Sequence, residues 1–348
     1  MWLKPILVLA IIPRPEGRGN SNSVLMVGKL FIKNMQLTND IVKNISASLG
    51  FNLIGFSHFV QLEEEVEQLN KWLQKGYNAG MKYMERNLEK RKDVRLILPE
   101  AKSVISLGMN YYTEHQHSDA EDFGKVSRYA WGKDYHLIIW EKLDLLIQKL
   151  KEIDPTFEAK TYIDTGPVMD KTWAVRSGIG WLGKHSNVIN RQMGSWFFIA
   201  TVITNYEFAT SPIVNNFCGN CTACIDACPT KAIVQDYVVD ANKCISYLTI
   251  ENKGEIEKSL SGKFENWIFG CDICQEVCPW NKKFSTETTE KEFNPKEGNE
   301  EIALESVENM SEESFKQKFT ESPILRTKLK GLKRNAEFLL KKGNESSS

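Results

Sequence analysis

The first 217 residues contain no cysteine, and none follows residue 278. A small secreted domain stapled by disulfides would spread its cysteines along the chain, so that class is excluded. No apolar run reaches the ~18 residues that a membrane-crossing helix needs, and no membrane partner is expected. Charge of one sign is also lacking: 44 Lys+Arg face 45 Asp+Glu, a net charge of −1. Global attraction to nucleic acid or anionic lipid is therefore absent, and such a partner requires a local basic patch. There is no internal repeat, and low complexity is confined to Ser346–Ser348. With 42% apolar and 26% charged residues, the chain is neither fibrous nor wholly disordered. At roughly 150 residues per domain, 348 residues suggest two or three domains.

Acids are scarce at the N-terminus, where residues 1–34 hold only Glu16 and no twin-Arg pair. The short apolar stretch before Pro13 lacks a small-x-small cleavage site, which disfavours a secretory signal. Residues 1–35 are read as an extension upstream of the working protein, with Met35 as an alternative start. An organelle transit peptide is the other option.

All eight cysteines lie between Cys218 and Cys278. The first run is Cys218-x2-Cys221-x2-Cys224-x3-Cys228-Pro229, the pattern of bacterial ferredoxins, whose fourth cysteine ligates the other cluster. The second is Cys271-x2-Cys274-x3-Cys278-Pro279, with Ile268 where the template wants a thiolate. Cys244 is the one cysteine left, and it completes the count. Cys218, Cys221, Cys224 and Cys278 then hold one [4Fe–4S] cluster, and Cys228, Cys244, Cys271 and Cys274 the other. Zinc staples are the competing reading; they favour separated C-x2-C pairs and suit this run poorly.

Helical spacing marks 36–50, capped at Asn39 or Asp40, then 61–75 and 133–153. The last has Leu137, Trp140, Leu143, Leu146, Ile147 and Leu150 along one face. Strands are expected at 53–56, 103–109, 161–164 and 196–204. Interleaved strands and helices indicate an α/β domain over 36–210. A cysteine domain follows over 211–285. Residues 286–348 read as an acidic, solvated linker and a basic C-terminal helix. That helix, at 323–342, carries Leu325, Leu329, Leu332, Ala336, Leu339 and Leu340 as its stripe. Arg326, Lys330, Lys333 and Arg334 on other faces are candidate phosphate contacts.

Two motifs mislead. Gly178-x-Gly180-x-x-Gly183 matches a dinucleotide fingerprint, but a helical stretch precedes it where a strand belongs. The same residues nearly form a Walker A loop, yet His185 stands where the magnesium-binding hydroxyl should be. Asp134-Tyr135-His136 opens like the Asp-x-His motif by which some cobalamin enzymes offer an axial histidine, but that motif needs a glycine where Ile139 stands, so His136 is not assigned as a cobalt ligand.

The two cysteine groups around Cys244, WGKDYH at 131–136, IDTGPVMDKTWAVRSGIGWLGK at 163–184 and RTKLKGLKRN at 326–335 together resemble the epoxyqueuosine reductases. The resemblance spans residues 36–342. It implies a nitroreductase-like cobalamin domain, α/β or α+β, beside a ferredoxin-like domain with two [4Fe–4S] clusters and a short helical C-terminal segment. It further implies reduction of the epoxide of epoxyqueuosine at the wobble position of tRNA. An external low-potential electron donor, a cytoplasmic location and a monomer go with it. By the same resemblance Asp164 is the proton donor, and Arg91, Ser127, Asp134, Asp164 and Ser246 contact cobalamin. Ser127 stands in the region where family members often carry a cysteine near the cobalt. A carboxylic acid gives up a proton near pH 7 only if its surroundings raise its pKa, so Asp164 is expected against an apolar core. The alternatives are another cobalamin/iron–sulfur reductase, such as a reductive dehalogenase, and a plain iron–sulfur electron carrier. A carrier would leave the cysteine-free domain unexplained.

Overall fold

The computed structural model describes residues 36–118 and 120–345; the extension read at 1–35 lies outside the described residues. The first helix, α1 (Asn39–Ser48), begins earlier than either expected cap allows. Thr38 takes the cap position and its hydroxyl accepts the Ile41 N–H. Strand β1 (Leu53–His58), helices α2 (Glu63–Gln74) and α3 (Leu88–Lys92), and strand β2 (Ser103–Asn110) follow. After β3 (Phe123–Val126) come α4 (Tyr135–Ile153), β4 (Ala159–Tyr162) and α5 (Asp170–Arg176). A small hairpin, β5 (Trp181–Leu182) with β6 (Val188–Ile189), leads into β7 (Phe197–Thr204).

The main sheet is ordered β1–β2–β7–β4, and every pairing in it is antiparallel. Of the two classes implied by the resemblance, the observed one is α+β. Strand alternation sends Ile105, Leu107 and Met109 to the face covered by α1 and α4. Val104 turns the other way and packs with Trp173 of α5. With both faces covered, all of β2 is buried. On α4, Leu143, Leu146 and Leu150 are buried as expected, but Leu137 and Trp140 are exposed. The stripe starts instead at Tyr135, which stacks on Phe198 of β7 at 4.2 Å and so turns Ile138 and Ile139 inward.

The rest of the chain builds a second core. In order it contains α6 (Ala223–Asp226), the hairpin β8 (Ile233–Gln235) with β9 (Val238–Val239), α7 (Ile245–Ile250), β10 (Trp267–Phe269), α8 (Ile273–Glu276) and α9 (Pro279–Phe284). Then come β11 (Glu301–Ala303), α10 (Leu304–Glu308), α11 (Glu312–Lys318) and α12 (Lys328–Glu345). A sheet ordered β10–β3–β11 draws one strand from each of the three segments delimited from the sequence. Its core runs from Trp131 through Phe269 and Ile302 to Leu332 of α12.

Two expectations for this half fail. The stretch after Pro279 is not a solvated linker. Asn110 Nδ2 donates to Thr286 O, the Thr288 N–H donates to Tyr112 O, and Phe293 is buried against Phe198. The expected single helix over 323–342 is a 3-10 turn, Pro323–Thr327, followed by α12. Lys328, at φ +60°, separates them. The stripe Leu329, Leu332, Ala336 and Leu339 is buried as expected. Among the described residues, no helix is long and apolar enough to cross a membrane.

Candidate functional site

All eight cysteines are free thiols. Cys218, Cys221, Cys224 and Cys278 line a cavity of about 170 Å³. A larger hollow, about 520 Å³ beside Asp144 and Lys151, is open and carries none of this chemistry. Among the described residues, no three His, Cys, Asp or Glu side chains converge on the position of one ion. Four sulfurs around a cavity suit a cluster better than the zinc reading. Burial and the neighbouring Cys218 and Cys278 push the Cys224 thiol up to about 11. Two buried ring nitrogens nearby, His185 Nε2 and Trp181 Nε1, have no partner. Iron-bound sulfur is an acceptor for such N–H groups.

Cys228, Cys244, Cys271 and Cys274 form the second set. Cys274 feels Cys244 and Cys228, and Cys271 feels Cys274 and Cys244. Burial raises the thiols of Cys244, Cys271 and Cys274. Grouped thiolates in low dielectric demand compensating positive charge, which iron supplies. The α7 N-terminus helps: the N–H groups of Tyr247 and Ser246 point at Cys244. Ile268, standing where a ligand was missing, is a fully buried residue of β10, so this strand has no room for a thiolate facing a cluster. The loop after it is fixed by Asp272, which accepts the Ser127 hydroxyl at 2.5 Å and the Arg128 N–H at 2.7 Å. Gly270 is required there: it has φ +71°, and a Cβ would come within 2.4 Å of Ser127 Cβ.

Next to this second set is a cleft. Lys171, at the start of α5, feels Asp164, Cys274 and Cys244. Asp164 follows β4 rather than lying within it and has φ +54°, an uncommon conformation for a non-glycine residue. The Tyr135 hydroxyl donates to Asp164 Oδ2 at 3.0 Å. Tyr83, Tyr129, Asp170 and Arg326 are also within electrostatic reach of Asp164. Burial works against the Arg326 charge, but Tyr135, Asp164 and Tyr129 outweigh it and hold the guanidinium above its ordinary value. Asp164, Lys171 and Arg326 are all exposed. Arg91 of α3 lies beside Asp170 and Tyr83, and its buried Nε has no partner. A buried guanidinium donor left free is a place for a ligand acceptor.

The structure therefore brings Arg91, Asp164 and Ser246 to this region. Asp134 joins them at its edge through Arg326 and Tyr129. Its carboxylate caps α4, accepting the His136 N–H at 3.0 Å and pairing with His136 Nδ1 at 2.8 Å. Ser127 lies behind, buried, with its hydroxyl committed to Asp272. Asp164 is exposed, so the apolar core expected behind it does not cover it. The carboxyl shielded by its surroundings is the half-buried Asp170, held by the Thr201 hydroxyl and raised, chiefly by desolvation, to about 7. Sequence reasoning passed over Asp170, Lys171 and Tyr83; the only local signal was the polar pair opening a helix in MDKTW.

The basic C-terminal patch also needs correction. Arg334 is not free for phosphate, because its guanidinium donates to the carbonyls of Leu248, Asn252 and Gly254 and to Asn335 Oδ1. Asn335 in turn donates to Thr249 O and Ile268 O. Arg326 points to Asp164 and Glu251. Lys330 remains exposed and Lys333 half-buried.

Comparison with known proteins falls on the same two regions. The family model "4Fe-4S double cluster binding domain" matches residues 217–281. The model "Epoxyqueuosine reductase QueG, DUF1730" matches residues 91–165. An epoxyqueuosine reductase from Cellulophaga algicola is 47% identical over 301 residues, 86% of this chain and 97% of that protein. One from Synechocystis is 45% identical, covering 79% and 95%. A crystal structure of epoxyqueuosine reductase with an epoxyqueuosine-modified tRNA-Tyr stem loop superposes with a TM-score of 0.82 at 32% identity, covering 88% of this chain and 82% of that one. The enzyme from Bacillus subtilis gives the same score at 31% identity.

Proposed function

This chain belongs to the epoxyqueuosine reductase family, and from that premise we infer that the cleft beside Asp164 is where the epoxide of epoxyqueuosine in tRNA is reduced to the alkene of queuosine. The carrying observation is the continuity of the parts. One cysteine quartet carries the exposed Cys221, and Lys171 feels both Asp164 and two thiols of the other quartet, Cys274 and Cys244. The net change is two electrons and two protons in, and one water out. Cobalamin, when bound, would supply a low-valent cobalt able to hold a strongly reduced state beside the substrate, with [4Fe–4S] clusters in the two quartets as its source of electrons. Arg91 through its free Nε, the α7 start at Ser246, and Asp134 are the residues that would hold it.

The chain's own residues handle the proton. Tyr135 donates to Asp164 Oδ2, so a proton on this carboxyl resides on Oδ1, the oxygen left for the departing epoxide oxygen. The Arg326 guanidinium sits beside the same group and offsets negative charge once the proton has gone. Gly166 keeps the Asp164 turn closed, since a Cβ there would come within 2.1 Å of the Tyr162 ring. An electron donor from outside, a monomer and a cytoplasmic setting among tRNAs complete the reading.

The test is Asp164→Asn in anaerobically prepared protein carrying both clusters and cobalamin. Turnover of epoxyqueuosine tRNA with dithionite should fall by about 10²-fold or more, with iron, sulfide and cobalamin contents unchanged. Full activity would remove Asp164 as the acid.

A further inference from the structure

The first cysteine quartet contains the one fully exposed thiol of the eight, and its surroundings are unusual for a surface. Cys221 is exposed. Of the large apolar residues left exposed among the described ones, Ile213, Phe217, Val234 and Tyr237 all belong to segments gathered around this corner. Phe217 sits over Trp181 and Trp280, at 5.2 and 5.7 Å between ring centroids. Asn216 ties this segment to the β8–β9 hairpin: its Nδ2 donates to the Tyr237 hydroxyl, and its Oδ1 accepts the Cys218 N–H. The patch is therefore built onto the loop that carries the first ligand.

The charges around it are mostly of one sign. Arg191 lies over the Phe217 ring at 5.4 Å, and Lys283 over Phe284, which itself stacks on Trp280. Lys282 is one turn beyond Cys278, and Lys231 follows Cys228 closely. All four cations are exposed, and none forms an ion pair among the described residues. Lys184 is neutralised by Asp236 at 3.1 Å, and Asp226 is the one acid within the cysteine loop. An apolar centre with a basic rim is the form of a transient protein interface whose partner is acidic.

We propose that this face, from Ile213 and Phe217 to Lys231, Lys282 and Lys283, docks a small acidic electron-carrier protein that reduces the enzyme through the Cys218 quartet. The proposal rests on the reading above, which requires electrons from outside. Each docking oxidises one reduced carrier by one electron and reduces the outer cluster by one. Two dockings serve one turnover, while the protons come from Asp164 and water. The second quartet is less suited to this entry, because it has no fully exposed thiol and lies on the side of Lys171 and Asp164.

The experiment uses the cluster-loaded protein and a reduced plant-type [2Fe–2S] ferredoxin, an acidic carrier, as the probe. Stopped-flow bleaching of the enzyme's visible absorbance gives the second-order rate. The triple variant Lys231→Glu, Lys282→Glu, Lys283→Glu should lose about tenfold or more of that rate at low salt and approach the unmodified protein at high salt. Ile213→Asp should be slower at both. Dithionite-driven turnover of epoxyqueuosine tRNA should be unchanged in each, and this control reports separately on the proposed reaction. An unaltered ferredoxin rate in the triple variant would overturn the proposal. So would weaker tRNA binding in its place, which would make the basic rim a nucleic-acid surface.

Discussion

The two cysteine quartets begin from the same local pattern and end in unlike surroundings. Each uses a one-turn helix, α6 or α8, to present closely spaced thiols. The outer quartet opens to solvent at Cys221 and is bordered by aromatic rings. Burial pushes up thiols in both, Cys224 and Cys278 in the outer one and Cys244, Cys271 and Cys274 in the inner one. The inner one has a helix start aimed at Cys244, and Lys171 feels both it and Asp164. Identical ligands in different surroundings do not share a potential. The proposed order of electron flow, from the quartet with the exposed thiol to the one beside Lys171, is what cysteine variants test.

The largest expected effect tests that order directly. Cys244→Ala should cut bound iron by about half and abolish tRNA turnover with any reductant, because no cluster then adjoins the cleft. Cys221→Ser should also damage its cluster. Dithionite, being small, should still reduce the inner quartet and keep turnover within about tenfold of the unmodified protein. Equal loss in both variants, measured with iron content and dithionite-driven turnover together, would break the assignment of outer and inner.

A middle-sized effect concerns what braces the inner quartet. Arg334 and Asn335 tie α12 to the carbonyls of α7 and β10, which flank Cys244 and Cys271. The outer quartet has no such brace from α12. Arg334→Ala leaves the carbonyls of Leu248, Asn252 and Gly254 without this donor, an expected loss of about 1–3 kcal/mol. It should lower the denaturation midpoint and make the inner cluster the first to bleach in air. The salt dependence of tRNA binding should not change, since this guanidinium is already committed. A flatter slope, by about one unit, would return Arg334 to the list of phosphate contacts.

The sequence makes one half of this comparison far more legible than the other. Cysteines are rare, so their spacing alone divides eight of them into two fours, and Cys218, Cys221, Cys224 and Cys278 line one cavity. The cleft has no such local code. Asp164 entered through family resemblance, while Asp170 and Lys171 are defined by contacts with Thr201, Arg91 and the inner cysteines, all distant in sequence. Arg326 and Arg334 look interchangeable in RTKLKGLKRN. Only the turn at Lys328 and the packing of α12 decide that one faces Asp164 and the other grips carbonyls. Long strands and helices were found for a different reason, because burial on one or two faces writes a period into the chain. The stripe on α4 was misplaced at its first turn since Tyr135, a residue with a polar end, is its first buried member.

The smallest expected effect concerns the second carboxyl of the cleft, six positions beyond Asp164. Asp170 is raised to about 7, first by burial and then by nearby Asp164, against the pull of the Thr201 hydroxyl. A carboxyl that holds its proton more tightly in the folded protein than in the unfolded chain stabilises the fold most at low pH. That contribution is complete below about pH 4 and is lost as pH rises to about 7. Asn at this position is neutral throughout and still accepts from Thr201. The midpoint of Asp170→Asn should therefore match the unmodified protein near pH 4 and gain on it by a few degrees toward pH 8. A difference in midpoint that stays the same from pH 4 to pH 8 would show that the surroundings of Asp170 do not hold its proton, and the cleft would then lack the shielded interior that sets it apart from the quartet at Cys221.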